Sequence, residues 1–236
     1  MSFLQAEWRK LAMANYVIDP EILKPFLPHK TELDLWNGNC YVSLVGFMFL
    51  NTKMLGLKIP FHINFEEVNL RFYVKHFDGK EWKRGVVFIK EIVPKSAITI
   101  VANTIYKEHY ETMGMKHSWD LNTERNKVSY LWKKNKVWNE FSLETNGLKE
   151  KIDENSEVEF ITEHYWGYSQ HGKNKTVEYE VCHPQWEHYP VKSYQIDVDF
   201  GQVYGKTFQF LKELTPTSVF LAEGSEVSVK GKKIIS

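Results

Sequence analysis

The chain has 236 residues, enough for one large domain, and we predict a single domain over residues 1–236. Its 30 basic and 30 acidic residues cancel, so no excess positive charge favours nucleic acid as a partner. Two cysteines are too few for a disulfide framework, and the apolar run Cys40–Leu50 is too short to span a membrane. Since residues 1–13 do not follow the pattern of a signal peptide, we expect a cytoplasmic protein.

The first predicted elements are a segment of undecided type and a short helix. Phe3–Asn15 fits either a helix or a strand, with Trp8 and Leu11 turned inward. Asp19 is a favourable N-cap before a proline, so a short helix is predicted over Pro20–Phe26.

A hairpin and a long connection follow. Asn37-Gly38 is a strong turn signal, predicted to join strand Glu32–Trp36 to strand Cys40–Phe49. Asn51–Ile63 contains Gly56, Pro60 and His62, and it is interpreted as a long connection at the rim of a pocket.

The most informative stretch is Phe65–Val74, in which polar and apolar side chains alternate as in a strand. Its apolar face is formed by Val68, Leu70, Phe72 and Val74, and its polar face by Glu67, Asn69, Arg71 and Tyr73. An acid, an amide, a guanidinium and a phenol in one row can bind a small polar ligand. The alternative is a solvated strand face on which Arg71 pairs with Glu67, and the sequence leaves both open.

The next segment is predicted to contain a turn, a second strand and a helix. Asp78-Gly79 marks the turn, and Gly85–Ile92 is apolar enough for a strand buried on both faces, interrupted near its end by Lys90-Glu91. Pro94 suits the first turn of a helix. Four residues of the following run are assigned to its polar side, namely Lys95, Thr99, Tyr106 and Tyr110.

The rest of the chain is predicted to form further strands with two short helices. Strands are predicted over 115–121, 127–132, 136–143, 167–170, 176–182 and 191–198, with helices capped by Ser156 and by Asp199, the second reaching Leu211. A closing hairpin is predicted from 218–221 and 226–230 across the turn 223–225. The nine histidines show no metal-ligand spacing, and nucleotide and nucleophile-elbow motifs are missing, so we predict neither metal nor cofactor.

Several blocks resemble the YqjF-like family of uncharacterised, mostly bacterial proteins. They read WRKLAMANYVIDPEILKPFLP, FEEVNLRFYV, RGVVFIKEIVPK, FITEHYWGYS, EVCHPQW and SVFLAEGSEV, and they extend over residues 3–230. The resemblance implies a fold related to acetoacetate decarboxylase, which is α+β and mostly antiparallel, with a barrel-like sheet core and a few peripheral helices. It implies no known reaction.

Acetoacetate decarboxylase uses a lysine as a Schiff-base nucleophile, and its motif can be placed here in two ways. Lys90-Glu91 to Pro94-Lys95 has the right residue types, but the spacer is about two residues short. We favour the other placement, at His109-Tyr110, where a phenol replaces the lysine and cannot form an imine. By the same resemblance, Glu67 matches a carboxylate of the decarboxylase.

We therefore expect a pocket that binds, and can transform, a small carbonyl or carboxylate compound. Its predicted lining is Glu67, Asn69, Arg71 and Tyr110, and the catalytic candidates are Glu67, Tyr110 and Lys95. One alternative is a Schiff-base lyase that uses Lys95, and another is a non-catalytic ligand-sensing or interaction module. The sequence predicts no nucleic-acid or membrane partner and leaves the oligomeric state open.

Overall fold

The computed structural model describes residues 2–236 and is dominated by one large, mostly antiparallel sheet. Its strands are β1 (Ser2–Ile18), β2 (Glu32–Leu33), β3 (Cys40–Met54), β4 (Phe65–Phe77), β5 (Trp82–Val93), β6 (Tyr110–Thr112), β7 (Gly114–Leu121), β8 (Arg125–Lys134), β9 (Val137–Asn146), β10 (Glu150–Lys151), β11 (Trp166–Gln170), β12 (Thr176–Cys182), β13 (Glu187–Asp197), β14 (Ser218–Lys230) and β15 (Lys233–Ile235). The α+β class predicted from the sequence is confirmed.

The helices are short and lie between the strands. They are α1 (Pro20–Leu23), α2 (Ser96–Val101), α3 (Glu157–Thr162) and α4 (Phe200–Tyr204), with 3-10 turns at Lys24–Phe26 and Lys206–Glu213 and a π-helical turn at Ala102–Tyr106. Within residues 2–236, none of these helices has the length and apolar character needed to cross a membrane.

Seven of the strands close into a ring in the order β12-β11-β5-β4-β3-β1-β14, because β14 pairs back onto β12. The closing contact joins Val181 to Val229. Pairing within the ring is antiparallel except between β11 and β5, which run parallel at Trp166 and Gly85. Closure removes the free edges that an open sheet would expose.

The side chains of each ring strand alternate between two apolar layers, one outside the ring and one inside it. Outward-facing Leu44 and Phe72 pack with Trp132 and Phe141 of the meander β7–β8–β9. Inward-facing side chains, among them Tyr73, form a separate cluster inside the ring. Burial of each such large side chain contributes about 1.5–3 kcal/mol to folding, so both faces of β3 and β4 hold the fold together.

Strand β13 links the ring to the meander. Its first half pairs with β14 of the ring, and its second half, from Val191 to Asp197, pairs with β9. The predicted meander strands are confirmed, as is the hairpin of β11 and β12. Cys40 and Cys182 lie on β3 and β12 as free thiols.

The N-terminal elements agree with the prediction in part. Phe3–Asn15, left undecided by the sequence, lies within β1, and Asp19 caps α1 by accepting a hydrogen bond from the Glu21 N–H at 2.9 Å. The Asn37-Gly38 turn forms, but the predicted hairpin strand before it is wrong. Glu32–Leu33 pairs with β4 instead, because β1 and β4 already occupy both edges of β3.

The predicted closing hairpin is also wrong, since β14 is one continuous strand. Its pairing with β1 keeps the same register on both sides of Gly224, which lies opposite Arg9. Gly224 has φ +79°, and a Cβ there would lie 2.0 Å from the Trp8 carbonyl oxygen. Glycine at this position therefore permits a close approach of two strands and does not mark a turn.

The helix predicted after Pro94 begins later and ends earlier than expected. Lys95 is its N-cap, and the chain leaves the helix after Tyr106, where Lys107 adopts φ +60°. Tyr110 therefore lies on β6, parallel to β5, and Tyr106 is buried in an apolar cluster and does not lie on a polar helix face. In the same way, Gly205 with φ +103° ends α4 before the predicted Leu211.

Candidate functional site

The interior of the ring contains a cavity of about 350 Å³ with mainly apolar walls. Aromatic rings supply much of the wall, contributed by Trp8, Phe47, Phe49, Phe65, Phe88 and Tyr106. Ile59 and His62 of the connection after β3 border the cavity together with Ile98 and Val101 of α2. The connection therefore borders the cavity, as the sequence predicted, but it begins later than predicted because residues 51–54 still belong to β3.

The polar face of β4 points into this cavity. Glu67, Asn69 and Arg71 all line it and are 2%, 1% and 8% exposed. The two-residue repeat of a strand places these three side chains on one side, while Val68 and Leu70 pack into the outer layer. The alternative of a solvated strand face is thus wrong.

Glu67 is the most fully hydrogen-bonded carboxyl group of the cavity. Asn69 Nδ2 donates to its Oε1 at 3.0 Å, and Tyr110 Oη donates to its Oε2 at 3.1 Å. Burial raises the pKa of Glu67 to about 7, although Asn69, Tyr110 and the charge of Arg71 oppose the shift. Near neutral pH this group can either donate or accept a proton.

Glu91 is a second buried carboxyl group, which the sequence indicated only within the less favoured placement of the decarboxylase motif. Strand β5 has one extra residue, Ile89, opposite the step from Leu70 to Arg71. Because of this bulge, Phe88 and Glu91 both face the cavity, although strict alternation would place them on opposite sides. Burial raises the pKa of Glu91 well above its usual value, and repulsion from the other cavity carboxyls adds to the shift.

Glu108, between α2 and β6, is a third carboxyl group that lines the cavity. Tyr179 on β12 donates a hydrogen bond to its Oε1 at 2.8 Å. Burial raises the pKa of Glu108 to about 8 despite that hydrogen bond, and the charge of Glu67 raises it further. The cavity therefore holds three carboxyl groups that keep their protons to unusually high pH.

Arg71 is the cationic group of the cavity wall, and its guanidinium has few partners. Its Nη2 donates to the Ile161 carbonyl oxygen at 3.4 Å, and its Nε is buried without a partner. The Tyr73 ring lies 5.7 Å from the guanidinium carbon. Among residues 2–236, Arg71 forms no ion pair within 4.0 Å, so it is not paired with Glu67.

Lys95, the alternative nucleophile, lies apart from these groups. It is the partly exposed N-cap of α2 and does not line the cavity. Tyr110, the other placement of the decarboxylase motif, lies in the wall beside Glu67. In the described part of the chain, the cavity wall contains no lysine.

His164 and Trp166, noted in the sequence only as part of a family block, also line the cavity. His164 Nε2 lies 3.1 Å from Asp34 Oδ2, and Arg84 Nε donates to the same oxygen at 2.6 Å. No pattern in the sequence points to this cluster, because its members come from three distant segments. Over residues 2–236, no group of histidine, cysteine and acidic side chains is arranged to hold a metal ion.

The family model for DUF2071, described as an uncharacterised conserved protein, matches residues 5–226. The chain belongs to the DUF2071 family. It is 25% identical over 194 residues to the uncharacterised protein YqjF of Bacillus subtilis, an alignment that covers 78% of this chain and 74% of that protein. The resemblance to YqjF-like proteins seen in the sequence is confirmed.

Solved structures with the same fold are acetoacetate decarboxylases and related proteins. The acetoacetate decarboxylase of Legionella pneumophila matches with a TM-score of 0.67 at 12% identity, over 99% of this chain and 87% of that one. An acetoacetate decarboxylase-like enzyme of Sphingomonas wittichii gives 0.68 at 11% identity, over 100% and 94%. The enduracididine biosynthesis enzyme MppR, complexed with pyruvate, gives 0.69 at 12% identity, over 100% and 91%. At these identities the likeness shows the fold alone.

Proposed function

We propose that DUF2071 proteins of this type bind a small oxo acid in the cavity of the ring. In this proposal Arg71 receives the carboxylate of the ligand. Glu67, Asn69 and Tyr110 face its carbonyl oxygen. The observation on which the proposal rests is that Arg71 is buried and forms no ion pair within residues 2–236.

A buried guanidinium without an anionic partner is energetically costly. The effective penalty for burying an ion is several kcal/mol, and proteins normally offset it with a carboxylate. Arg71 has one hydrogen bond of 3.4 Å and an unsatisfied Nε–H, both on a side chain that lines the cavity. A ligand carboxylate would accept two parallel hydrogen bonds from this group, which is the strongest common pairing of arginine.

The carboxyl groups of the wall suit the carbonyl end of such a ligand. With the pKa of Glu67 raised to about 7 and that of Glu108 to about 8, both retain protons over much of the neutral range. A protonated carboxyl group donates a hydrogen bond, so it can bind a carbonyl oxygen without repelling an anion. The apolar walls then accommodate the hydrocarbon part of the ligand.

Two of the fold neighbours are associated with compounds of the same class. One is an acetoacetate decarboxylase, and another was solved with pyruvate bound. Acetoacetate and pyruvate are both oxo acids. This agreement supports the ligand class proposed from the side chains of the cavity.

The proposal is tested by calorimetric titration of the protein with pyruvate, 2-oxobutyrate and acetoacetate. Arg71→Met should weaken binding on the order of 10- to 100-fold, because a charge-assisted hydrogen bond contributes roughly 1.5–3 kcal/mol. Arg125→Met, at an exposed arginine of β8, is the matched control and should bind as the parent does. Glu67→Gln combined with Arg71→Met should not restore binding.

The lyase alternative predicts a different set of results. Borohydride in the presence of acetoacetate should then trap an imine, and Lys95→Ala should abolish trapping. If the cavity binds an oxo acid without forming an imine, borohydride should trap no adduct, and Lys95→Ala should bind the ligand with the affinity of the parent. Trapping at Lys95, together with unchanged binding by Arg71→Met, would replace the proposal with the lyase.

A further inference from the structure

A histidine whose free ring nitrogen has no partner among residues 2–236 lies in the wall of the same cavity. We propose that His164 Nδ1 is the base that removes a proton from the carbon next to the carbonyl of a bound oxo acid, so that the cavity catalyses keto–enol exchange. The inference rests on the proposed function, because it requires an oxo acid to bind.

The fold brings His164 close to the proposed carboxylate site. It follows the C-terminal end of α3, and its ring centroid lies 4.7 Å from that of Tyr73 and 5.0 Å from that of Phe160. The same helix end supplies the Ile161 carbonyl that accepts a hydrogen bond from Arg71. Tyr73 contacts both groups, since the Arg71 guanidinium also lies against its ring.

The partners of His164 determine which ring nitrogen has the proton. Asp34 Oδ2 lies 3.1 Å from Nε2 and 2.6 Å from Arg84 Nε. Although burial opposes it, the hydrogen bonds from His164 and Arg84 hold the pKa of Asp34 below its usual value, so the carboxyl group is ionised. An ionised carboxylate only accepts hydrogen bonds, so Nε2 has the proton and Nδ1 has the lone pair.

Nδ1 is therefore an acceptor, and within the described residues it is buried and has no partner. Burial lowers the pKa of His164 to about 4, with the positive charges of Arg84 and Arg71 acting in the same direction and Asp34 opposing them. The ring is consequently neutral at physiological pH. A ligand carboxylate bound at Arg71 would offset that charge and make Nδ1 more basic when the ligand is present.

The proposed step conserves atoms and charge without an oxidant or a cofactor. The C–H bond beside the carbonyl breaks, its proton moves to Nδ1, and its electron pair forms the carbon–carbon double bond of the enol. The carbonyl oxygen takes a proton from the Glu67 carboxyl group, which becomes a carboxylate. The imidazolium formed at His164 is stabilised by Asp34, as in other histidine–aspartate pairs. Once the proton on Nδ1 has exchanged with D2O, reversal of the step places deuterium at that carbon.

The test is proton NMR of 2-oxobutyrate in D2O, which follows loss of the signal from its C3 protons. The parent should accelerate this loss, and His164→Gln should slow the protein-dependent rate by on the order of 10²-fold or more. Glutamine can still donate a hydrogen bond to Asp34 but has no basic nitrogen, so affinity for 2-oxobutyrate should stay within about threefold. His188→Gln is the matched control, because His188 also has a buried Nδ1 without a partner among residues 2–236 but does not line the cavity.

The Asp34→Asn variant tests whether the charge of Asp34 supports the reaction or Asp34 only holds the fold together. Arg84 Nε and His164 Nε2 both face Asp34 Oδ2, so the carbonyl oxygen of the asparagine takes that position and Nε2 keeps its proton. The negative charge that stabilises the imidazolium is lost, so deuterium incorporation should slow while binding of 2-oxobutyrate is retained. Nitrogen-15 NMR of the imidazole should show an unchanged tautomer, and an exchange rate equal to that of the parent would overturn the role of Asp34.

The failure of this inference can be distinguished from that of the proposed function. If the parent binds 2-oxobutyrate but does not accelerate exchange, or if His164→Gln exchanges as fast as the parent, the role of His164 is overturned and ligand binding stands. If the parent does not bind the oxo acids tested, the proposed function is overturned, and the exchange activity with it.

Discussion

Individual cavity residues set the protonation states of their neighbours. The Tyr110 hydroxyl donates to Glu67 at 3.1 Å, and the Tyr179 hydroxyl donates to Glu108 at 2.8 Å. Each hydrogen bond stabilises the ionised carboxylate and partly offsets the effect of burial, which raises both pKa values. The two tyrosines therefore allow the two carboxyl groups to be perturbed separately.

Tyr110→Phe should raise the pKa of Glu67 further above about 7, because the carboxylate loses one of its two donors. Carbon-13 NMR of labelled glutamate side chains measures this shift directly. Tyr179→Phe is the matched control and should move Glu108 more than Glu67. An unchanged or lowered Glu67 pKa in Tyr110→Phe would show that the hydroxyl does not stabilise the carboxylate.

The sequence revealed only some of the residues of this site. Alternation along β4 placed Glu67, Asn69 and Arg71 on one face, and a strand cannot separate them without a bulge. The bulge in β5 turns the Glu91 side chain into the cavity, and no local pattern of residues predicts that bulge. His164 was not predictable as a site residue, because its partners are distant in the chain.

At the scale of elements, turn signals and strand alternation located most segments but not their partners. The Asn37-Gly38 turn formed as predicted, yet the residues before it pair with β4, and the edge of β3 was already occupied. The Glu223-Gly224-Ser225 sequence resembles a turn, but it continues through β14. Whether a glycine ends a strand or admits a close neighbour depends on the facing strand, which a local pattern does not reveal.

Gly224→Ala should destabilise the protein by about 2 kcal/mol or more, since a Cβ there would lie 2.0 Å from the Trp8 carbonyl oxygen and the backbone has φ +79°. Urea unfolding followed by tryptophan fluorescence measures the change. Gly231→Ala is the control, because a Cβ at that position meets nothing within 4 Å. Equal stability of the two variants would mean that β1 and β14 do not approach as closely as described.

At the scale of the whole molecule, the closed ring encloses three buried carboxyl groups, those of Glu67, Glu91 and Glu108. The contact that closes it joins β12 to β14, and the ring strands come from both ends of the chain. Such long-range pairing cannot be predicted from local patterns, whereas the α+β class follows from the number of alternating segments. The acids enclosed by the ring connect its stability to pH.

Folding stability should fall as the pH rises from about 6.5 to about 8. Glu67, Glu91 and Glu108 have raised pKa values, so above the ordinary glutamate pKa of 4.5 the unfolded chain releases protons that the folded protein retains. Each such group lowers the free energy of unfolding by up to about 1.4 kcal/mol per pH unit until its folded pKa is reached. His164 and His188, with lowered pKa values, act in the opposite direction but only below the ordinary histidine pKa of 6.5.

Urea unfolding at several pH values across this range measures the slope. Glu91→Gln should flatten it, because glutamine has no proton to lose and the repulsion among the cavity carboxyls is reduced. Exposed Glu124→Gln serves as the control and should keep the parental slope. A free energy of unfolding that stays constant or rises across this range would contradict the buried, protonated state of the three carboxyl groups.

The proposed role of Arg71, to receive the carboxylate of a small oxo acid, is tested most directly by comparing 2-oxobutyrate with its neutral amide. The two ligands have nearly the same size and differ in the charge that Arg71 would bind. We predict that the parent prefers the acid on the order of 10- to 100-fold and that Arg71→Met binds the two ligands about equally. Equal affinity of the parent for acid and amide, or the same preference in Arg71→Met, would contradict this role.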